Sequence, residues 1–170
     1  ADYSFTHPGW TREKAAGNNG GLYGFENSGV PEPGMRTGLN DVDQLTYYFR
    51  KEFEYTGDTA GASVTIDLIN DDGAGFWLNG QWLGGVATTP GSGHNDTASR
   101  TVSNAGEELA VIRSNSPPLV QGKNVLAATL KQTNTTSSDA VFGARMSIST
   151  PLATSVIINE VLPAGAGEGF

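Results

Sequence analysis

Residues 71–85 read DDGAGFWLNGQWLGG, and this stretch predicts a β-hairpin. Asn79-Gly80 lies between two apolar runs, and this dipeptide favours a two-residue turn because both residues tolerate positive φ. The cross-strand pairs expected for this turn are Leu78 with Gln81, Trp77 with Trp82, and Phe76 with Leu83.

The hairpin has two chemically different faces, because successive side chains in a strand point to opposite sides. Phe76, Leu78 and Leu83 share one face and are expected in a core. Trp77 and Trp82 share the other face and are expected side by side. Indole rings stack on the C–H patches of a pyranose, so the pair indicates a glycan-binding surface. The competing interpretation is that a loop or the N-terminal segment covers both rings.

Strand patterns continue on both sides of the hairpin. Apolar and polar residues alternate over 47–55 and 62–70, which predicts a strand in each segment. Further strands are expected at about 123–132 and 140–150. Residues 108–114 fit either a strand or a short helix. With no amphipathic helix of ordinary length in the pattern, these short strands predict an all-β, antiparallel β-sandwich. Residues 1–44 are rich in turn formers and are expected to form an irregular wrap around it.

Composition narrows the classes of partner. The 170 residues suit one main domain, and the net charge of −8 disfavours binding to nucleic acid or to an anionic membrane surface. The sequence contains no cysteine, so disulfides and thiolate metal sites are excluded. No apolar run approaches the length of a membrane span.

Four segments in order resemble a known group of modules: YYFRKEFEYTG (47–57), LINDDGAGFWLNG (68–80), LVQGKNVLAATLKQT (119–133) and SSDAVFGARMSIS (137–149). They are similar to the galactose-binding-like jelly-roll modules of bacterial secreted multidomain proteins. The resemblance implies a jelly-roll sandwich, carbohydrate binding without catalysis, and a secreted or cell-surface location. The hairpin departs from the usual pattern, because Phe76, Trp77 and Trp82 stand where that family has a Tyr and a polar return strand.

A second, separate signal follows Pro151, where a strand-like run leads into a Gly-rich stretch. Residues 1–151 are expected to form the sandwich module, and 152–170 a linker with the incomplete first strand of a following domain. The segment VIINEVLPAGAGEGF (156–170) resembles the start of a lamin-tail-like domain.

Asn70, Asp71 and Asp72 precede the hairpin and are a candidate calcium site. Carboxylate and amide oxygens are the hard ligands that calcium prefers, so a structural calcium ion is one expectation. The other is an ordinary turn in which an aspartate caps its own backbone. The full EF-hand pattern is absent.

Four further polar residues are candidate ligand contacts. His94, Asn95 and Asp96 occur in one long polar loop, and Asp139 precedes the last strand. His7 and His94 are the only histidines, which excludes a multi-histidine zinc site. Because no GxSxG or other nucleophile motif occurs, the chain is not expected to be an enzyme.

Taken together, the sequence predicts a non-catalytic carbohydrate-binding module that targets a larger secreted protein to polysaccharide. The alternative is a structural or adhesive spacer module without a sugar ligand. The expected partners are a polysaccharide or glycan and the neighbouring domains of the same polypeptide, with neither nucleic acid nor membrane.

Overall fold

A computed structural model describes residues 22–25, 35–39, 44–102 and 108–151, and the chain there is all-β. The strands are β1 (Leu22–Phe25), β2 (Met35–Gly38), β3 (Thr46–Tyr55), β4 (Ser63–Asp71), β5 (Gly73–Leu78), β6 (Gln81–Val86), β7 (Glu108–Ser114), β8 (Gly122–Lys131) and β9 (Ala140–Ser149). Residues 108–114 are therefore a strand, which decides between the two possibilities left open by the sequence.

The strands form two sheets packed face to face. The five-stranded sheet has the order β2-β1-β9-β4-β7, and the four-stranded sheet has the order β3-β8-β5-β6. Every pairing is antiparallel except that of β1 with β2, which is parallel. Without β2, the order β1-β9-β4-β7 over β3-β8-β5-β6 is that of an eight-stranded jelly roll. The predicted antiparallel β-sandwich is confirmed.

The segment before residue 45 differs from the expectation. Residues 22–25 and 35–38 form strands β1 and β2 at one edge of the five-stranded sheet, so describing all of 1–44 as irregular was wrong. Each strand has only four residues, too few for a reliable alternating pattern, and the pairing of β1 with β9 depends on tertiary structure. The remaining parts of 1–44, and the predicted linker and strand over 152–170, lie outside the described residues.

The core lies between the two sheets. Inward positions of β4 and β8 are almost completely buried: Val64, Ile66, Leu68, Leu126, Ala128 and Leu130. The alternation in 62–70 predicts the three inward positions of β4, whereas the pattern of β8 is apolar on both faces and does not indicate which face is buried. Phe142 of β9 lies at the centre, with its ring centroid 4.3 Å from that of Phe49 and 6.0 Å from that of Phe76. Aromatic stacking therefore joins the two sheets across the core.

The hairpin joins β5 and β6 through the predicted turn. Asn79 and Gly80 have φ values of 49° and 80°, as a type I′ turn requires. The predicted pairing of Trp77 with Trp82 is confirmed, but Phe76 pairs with Gly84 and not with Leu83. The reason is a β-bulge that inserts Leu83 as an extra residue, which nevertheless remains buried as predicted.

The Asn79 side chain ties this turn to the neighbouring strand. Its Nδ2 donates to Pro118 O and to Asn124 Oδ1, both at 2.8 Å. Its Oδ1 accepts the N–H of Val125 at 2.8 Å. Asn124 is fully buried, and its own Nδ2 donates to two backbone carbonyls just before it. The two amide side chains thus fix the register of β5 against β8.

We predict that Asn79→Ala lowers the free energy of unfolding by about 3 kcal/mol, because several buried hydrogen-bonding groups lose their partner. Urea denaturation monitored by tryptophan fluorescence measures the change. Gln81→Ala in the same hairpin is the matched control, since Gln81 is exposed. Equal, small effects of the two substitutions would contradict this role for Asn79.

Candidate functional site

The outer face of the four-stranded sheet, opposite the core, presents two neighbouring rows of residues that cross all four strands. In the order β3, β8, β5, β6, the first row is Tyr48, Thr129, Gly75 and Gly85, and the second is Arg50, Ala127, Trp77 and Trp82. The centre of this face is therefore made of small side chains, with aromatic rings toward both sides.

Trp77 and Trp82 lie together on this face, as the sequence predicted. Their ring centroids are 4.8 Å apart, and the ring planes meet at 68°, so the contact is edge-to-face. Both side chains are half-buried. The pair is therefore a corner of two rings with accessible surface, and not a flat platform of two parallel indoles.

Two glycines form the floor beneath these rings. A Cβ atom on Gly75 would lie 2.8 Å from Cζ3 of Trp82 and 3.0 Å from Cη2 of Trp77. A Cβ on Gly85 would lie 2.6 Å from Cη2 of Trp82. The rings thus rest on backbone that carries no side chain. A side chain at either glycine would push the rings away. The sequence signal for this floor is a glycine at an outward position of each hairpin strand, Gly75 and Gly85.

Tyr48 is a further aromatic residue on the same face, exposed where the tryptophans are half-buried, and the sequence did not indicate it as a site residue. Its side chain is 62% exposed, and its ring stacks on His94 with centroids 5.9 Å apart and planes at 13°. Its hydroxyl lies 3.2 Å from Nδ1 of His94. The available signal was an aromatic residue on the face of β3 that otherwise carries charges. We refer to Tyr48, His94, Trp77 and Trp82 together as the aromatic band.

A buried lysine holds the His94 loop against the sheet. Lys131 is 1% exposed, and its Nζ donates to Thr46 Oγ1 at 2.8 Å, to Asp96 O at 3.1 Å and to Gly93 O. Thr46 Oγ1 in turn donates to His94 O at 2.7 Å. Burial lowers the pKa of Lys131, and the negative charge of Asp96 acts in the opposite direction.

The polar residues before the hairpin are buried inside the corner between β4 and β5. Asn70, Asp71 and Asp72 are each at most 1% exposed. Asp72 Oδ1 accepts the N–H of Val102 at 2.7 Å, and its Oδ2 accepts the N–H and hydroxyl of Thr133 at 2.8 and 3.0 Å. Asp72 thus ties the far end of the His94 loop to the segment after β8, a role that the sequence did not indicate.

Two amide oxygens in this corner have no hydrogen-bond partner. Asn70 Nδ2 donates to Asp72 O at 3.0 Å, and Gln132 Nε2 donates to Asp71 O at 3.2 Å. Their oxygens, Asn70 Oδ1 and Gln132 Oε1, are buried and unpartnered. Within the described ranges, no three or more His, Cys, Asp and Glu side chains are arranged to hold a metal ion. Any cation here would therefore need amide oxygens among its ligands.

The remaining candidate residues divide between two places. Asn95 and Asp96 are exposed in the same loop as His94, and Asp96 Oδ2 accepts the N–H of Gly93 at 2.7 Å. Asp139 is 6% exposed, and its Oδ1 accepts the hydroxyl of Ser137 at 3.3 Å. It lies beside β9 of the other sheet, so the structure does not bring Asp139 onto the aromatic band.

Comparisons of the chain with protein-family models, curated proteins and solved structures give no match. None of the described residues belongs to a helix long and apolar enough to cross a membrane.

We predict that Lys131→Met accelerates amide hydrogen exchange in residues 93–98, because the loop loses its donor while the carbonyls that it satisfied can turn to water. Global stability is expected to change less than loop exchange, since removing a buried charge also removes its desolvation cost. Exchange mass spectrometry measures the effect. Lys123→Met is the matched control, with an exposed ammonium on the same strand. Unchanged exchange in 93–98 would show that Lys131 does not hold the loop.

Proposed function

We propose that this chain is a non-catalytic carbohydrate-binding module that attaches a larger secreted or cell-surface protein, of bacterial origin, to polysaccharide. The observation that carries the proposal is the half-buried Trp77–Trp82 pair, held over a glycine floor on the outer face of a sheet. Aromatic rings in this position offer π faces and edges to the C–H groups of a sugar ring.

The edge-to-face geometry fits one pyranose better than a flat layer of sugars. Rings that meet at 68° form two walls, so a sugar ring that stacks on one indole also contacts the other. Because Trp77 and Trp82 touch each other and the backbone below, they lose little rotamer freedom when a ligand binds. Preorganisation of this kind lowers the entropic cost of association.

The charged residues of this face support binding over catalysis. Glu52 Oε2 lies 2.6 Å from Nζ of Lys123, and Glu52 Oε1 lies 2.7 Å from the guanidinium of Arg50. The hydrogen bonds from Lys123 and then Arg50 hold the pKa of Glu52 below its usual value. A glycosidase general acid needs a raised pKa, so Glu52 is suited to pairing and not to protonating a glycosidic oxygen.

The same exposed rings also suit the alternative of a spacer or adhesive module that docks a neighbouring domain. Both uses bury aromatic surface, and they differ in the partner. A panel of soluble polysaccharides therefore discriminates between them, because only the first use predicts retardation by sugar.

We predict that affinity electrophoresis in gels containing xylan, glucan or mannan retards the wild-type chain, and that Trp82→Ala and Trp77→Ala abolish the retardation. Each substitution removes one wall of the corner and is expected to weaken binding at least about tenfold. Val111→Ala is the control, because it shortens an exposed apolar side chain of β7 in the other sheet. Tryptophan variants that bind as well as wild type would refute the site, and no retardation of the wild type would favour the spacer module.

We also propose a structural calcium ion in the corner between β4 and β5, with a revised ligand set. The buried, unpartnered oxygens Asn70 Oδ1 and Gln132 Oε1 are donors of the kind that calcium requires, and Gln132 is hydrogen-bonded through its Nε2 to the backbone oxygen of Asp71. Asp72, which the sequence placed among the ligands, already accepts three hydrogen bonds from the protein. A cation bound to these amide oxygens would satisfy buried acceptors that otherwise have no hydrogen-bond partner.

We predict that EDTA lowers the melting temperature and that added calcium restores it, because an ion that binds only the folded state stabilises it by mass action. The stabilisation reaches about 2.7 kcal/mol when free calcium is about 100 times its Kd. Scanning calorimetry measures the shift, and Asp71→Asn is expected to melt at the same temperature with and without calcium. A wild-type chain insensitive to EDTA and calcium would contradict the site.

A further inference from the structure

Tyr48 differs from an ordinary exposed hydrophobic residue. Single apolar side chains at a surface need no explanation. Tyr48, however, makes two contacts with one residue: its ring stacks on the ring of His94, and its hydroxyl lies 3.2 Å from Nδ1 of His94. His94 is itself fixed through its backbone carbonyl to Thr46 and, through its loop, to Lys131. The contacts with His94, and the hydrogen bonds that hold the His94 loop, thus orient an exposed tyrosine ring that contributes nothing to the core.

The position of Tyr48 relates it directly to the tryptophan pair. Tyr48, Thr129 and Gly75 are aligned across β3, β8 and β5, and Gly75 lies directly beneath both indoles. Two strand spacings separate Tyr48 from Gly75, which is about 10 Å between backbone positions. The aromatic band therefore runs perpendicular to the strands, with one aromatic end at Trp77 and Trp82 and the other at Tyr48 and His94.

We propose that Tyr48 and His94 form a second sugar subsite, so that the face binds a linear, neutral oligosaccharide lying across the strands. This inference rests on the proposed carbohydrate-binding function and extends it. A single sugar ring contacts only one end of the band. A chain of linked sugars contacts both ends at once, and the second contact is then effectively intramolecular.

The charge distribution selects a neutral chain. The cations of this face, Arg50 and Lys123, are both paired with Glu52, and Glu54 lies opposite Lys123 in the strand register. The formal charges of these four residues cancel, so they offer no surplus positive charge to uronates or sulfates. The net charge of −8 adds a long-range repulsion of polyanions. The paired Arg50 guanidinium keeps further N–H groups that can donate to sugar hydroxyls beside the band.

The test uses cello-, xylo- and mannooligosaccharides of increasing length, each titrated calorimetrically into the whole chain. For the wild type, affinity is expected to rise with length until both ends of the band are covered. Tyr48→Ala is expected to weaken binding of the long oligosaccharides about two- to tenfold while leaving the shortest ones unchanged. Tyr48→Phe keeps the ring and is expected to restore most of the length dependence. Trp82→Ala is expected to weaken binding at every length.

The outcomes separate this inference from the function on which it rests. If oligosaccharides bind and Trp82→Ala abolishes binding, but Tyr48→Ala keeps the wild-type length dependence, the second subsite is wrong and the carbohydrate-binding function stands. If the wild type binds no neutral oligosaccharide or polysaccharide, both are wrong. Tighter binding of polygalacturonate than of its neutral counterparts would overturn the neutral ligand class. Melting temperatures show that the variants remain folded.

Discussion

The register of β8 between β3 and β5 is the constraint on which the rest of the structure depends. Side chains alternate along a strand, so a slip of one residue would exchange its outer and inner faces. Ala127 and Thr129 would then turn inward, and the aromatic rings of the neighbouring strands would lose their alignment. The Asn79 side chain accepts the N–H of Val125 and donates to the buried Asn124, and these hydrogen bonds fix the register at one end of the sheet. Two polar side chains thus decide which residues face the solvent.

A second polar network closes the opposite end of the same sheet. Lys131 and Asp72 are buried charged residues, and each is used to hold the loop that carries His94. Burying a charge costs free energy unless the group is hydrogen-bonded, so buried charged residues are expected where they hold another part of the structure in position. Here the positioned element is the stacked Tyr48–His94 pair. The two ends of the sheet therefore support the two ends of the aromatic band.

The sequence predicted those features that depend on neighbouring residues. Asn79-Gly80 between apolar runs was sufficient for the turn and the tryptophan pair, because hairpin geometry is local. The short strand patterns on both sides of the hairpin were sufficient for the sandwich. The bulge at Leu83 was not predictable, since it arises where the backbone of Gly84 packs against Ile112 of the other sheet. A Cβ atom on Gly84 would lie 2.6 Å from Cγ2 of Ile112. Tyr48 was missed for a similar reason: its partner His94 is 46 residues away in the chain.

The charges along β3 have a consequence for association between molecules. β3 is a ten-residue edge strand of the four-stranded sheet, so one side of its backbone is not covered by another strand of that sheet. Long uncharged edges of this kind pair with one another and lead to aggregation. Arg50, Glu52 and Glu54 place a charge at every second position along this edge. A second molecule adding its strand here would have to desolvate these charges, so the charged residues of β3 disfavour polymerisation of the protein through this edge.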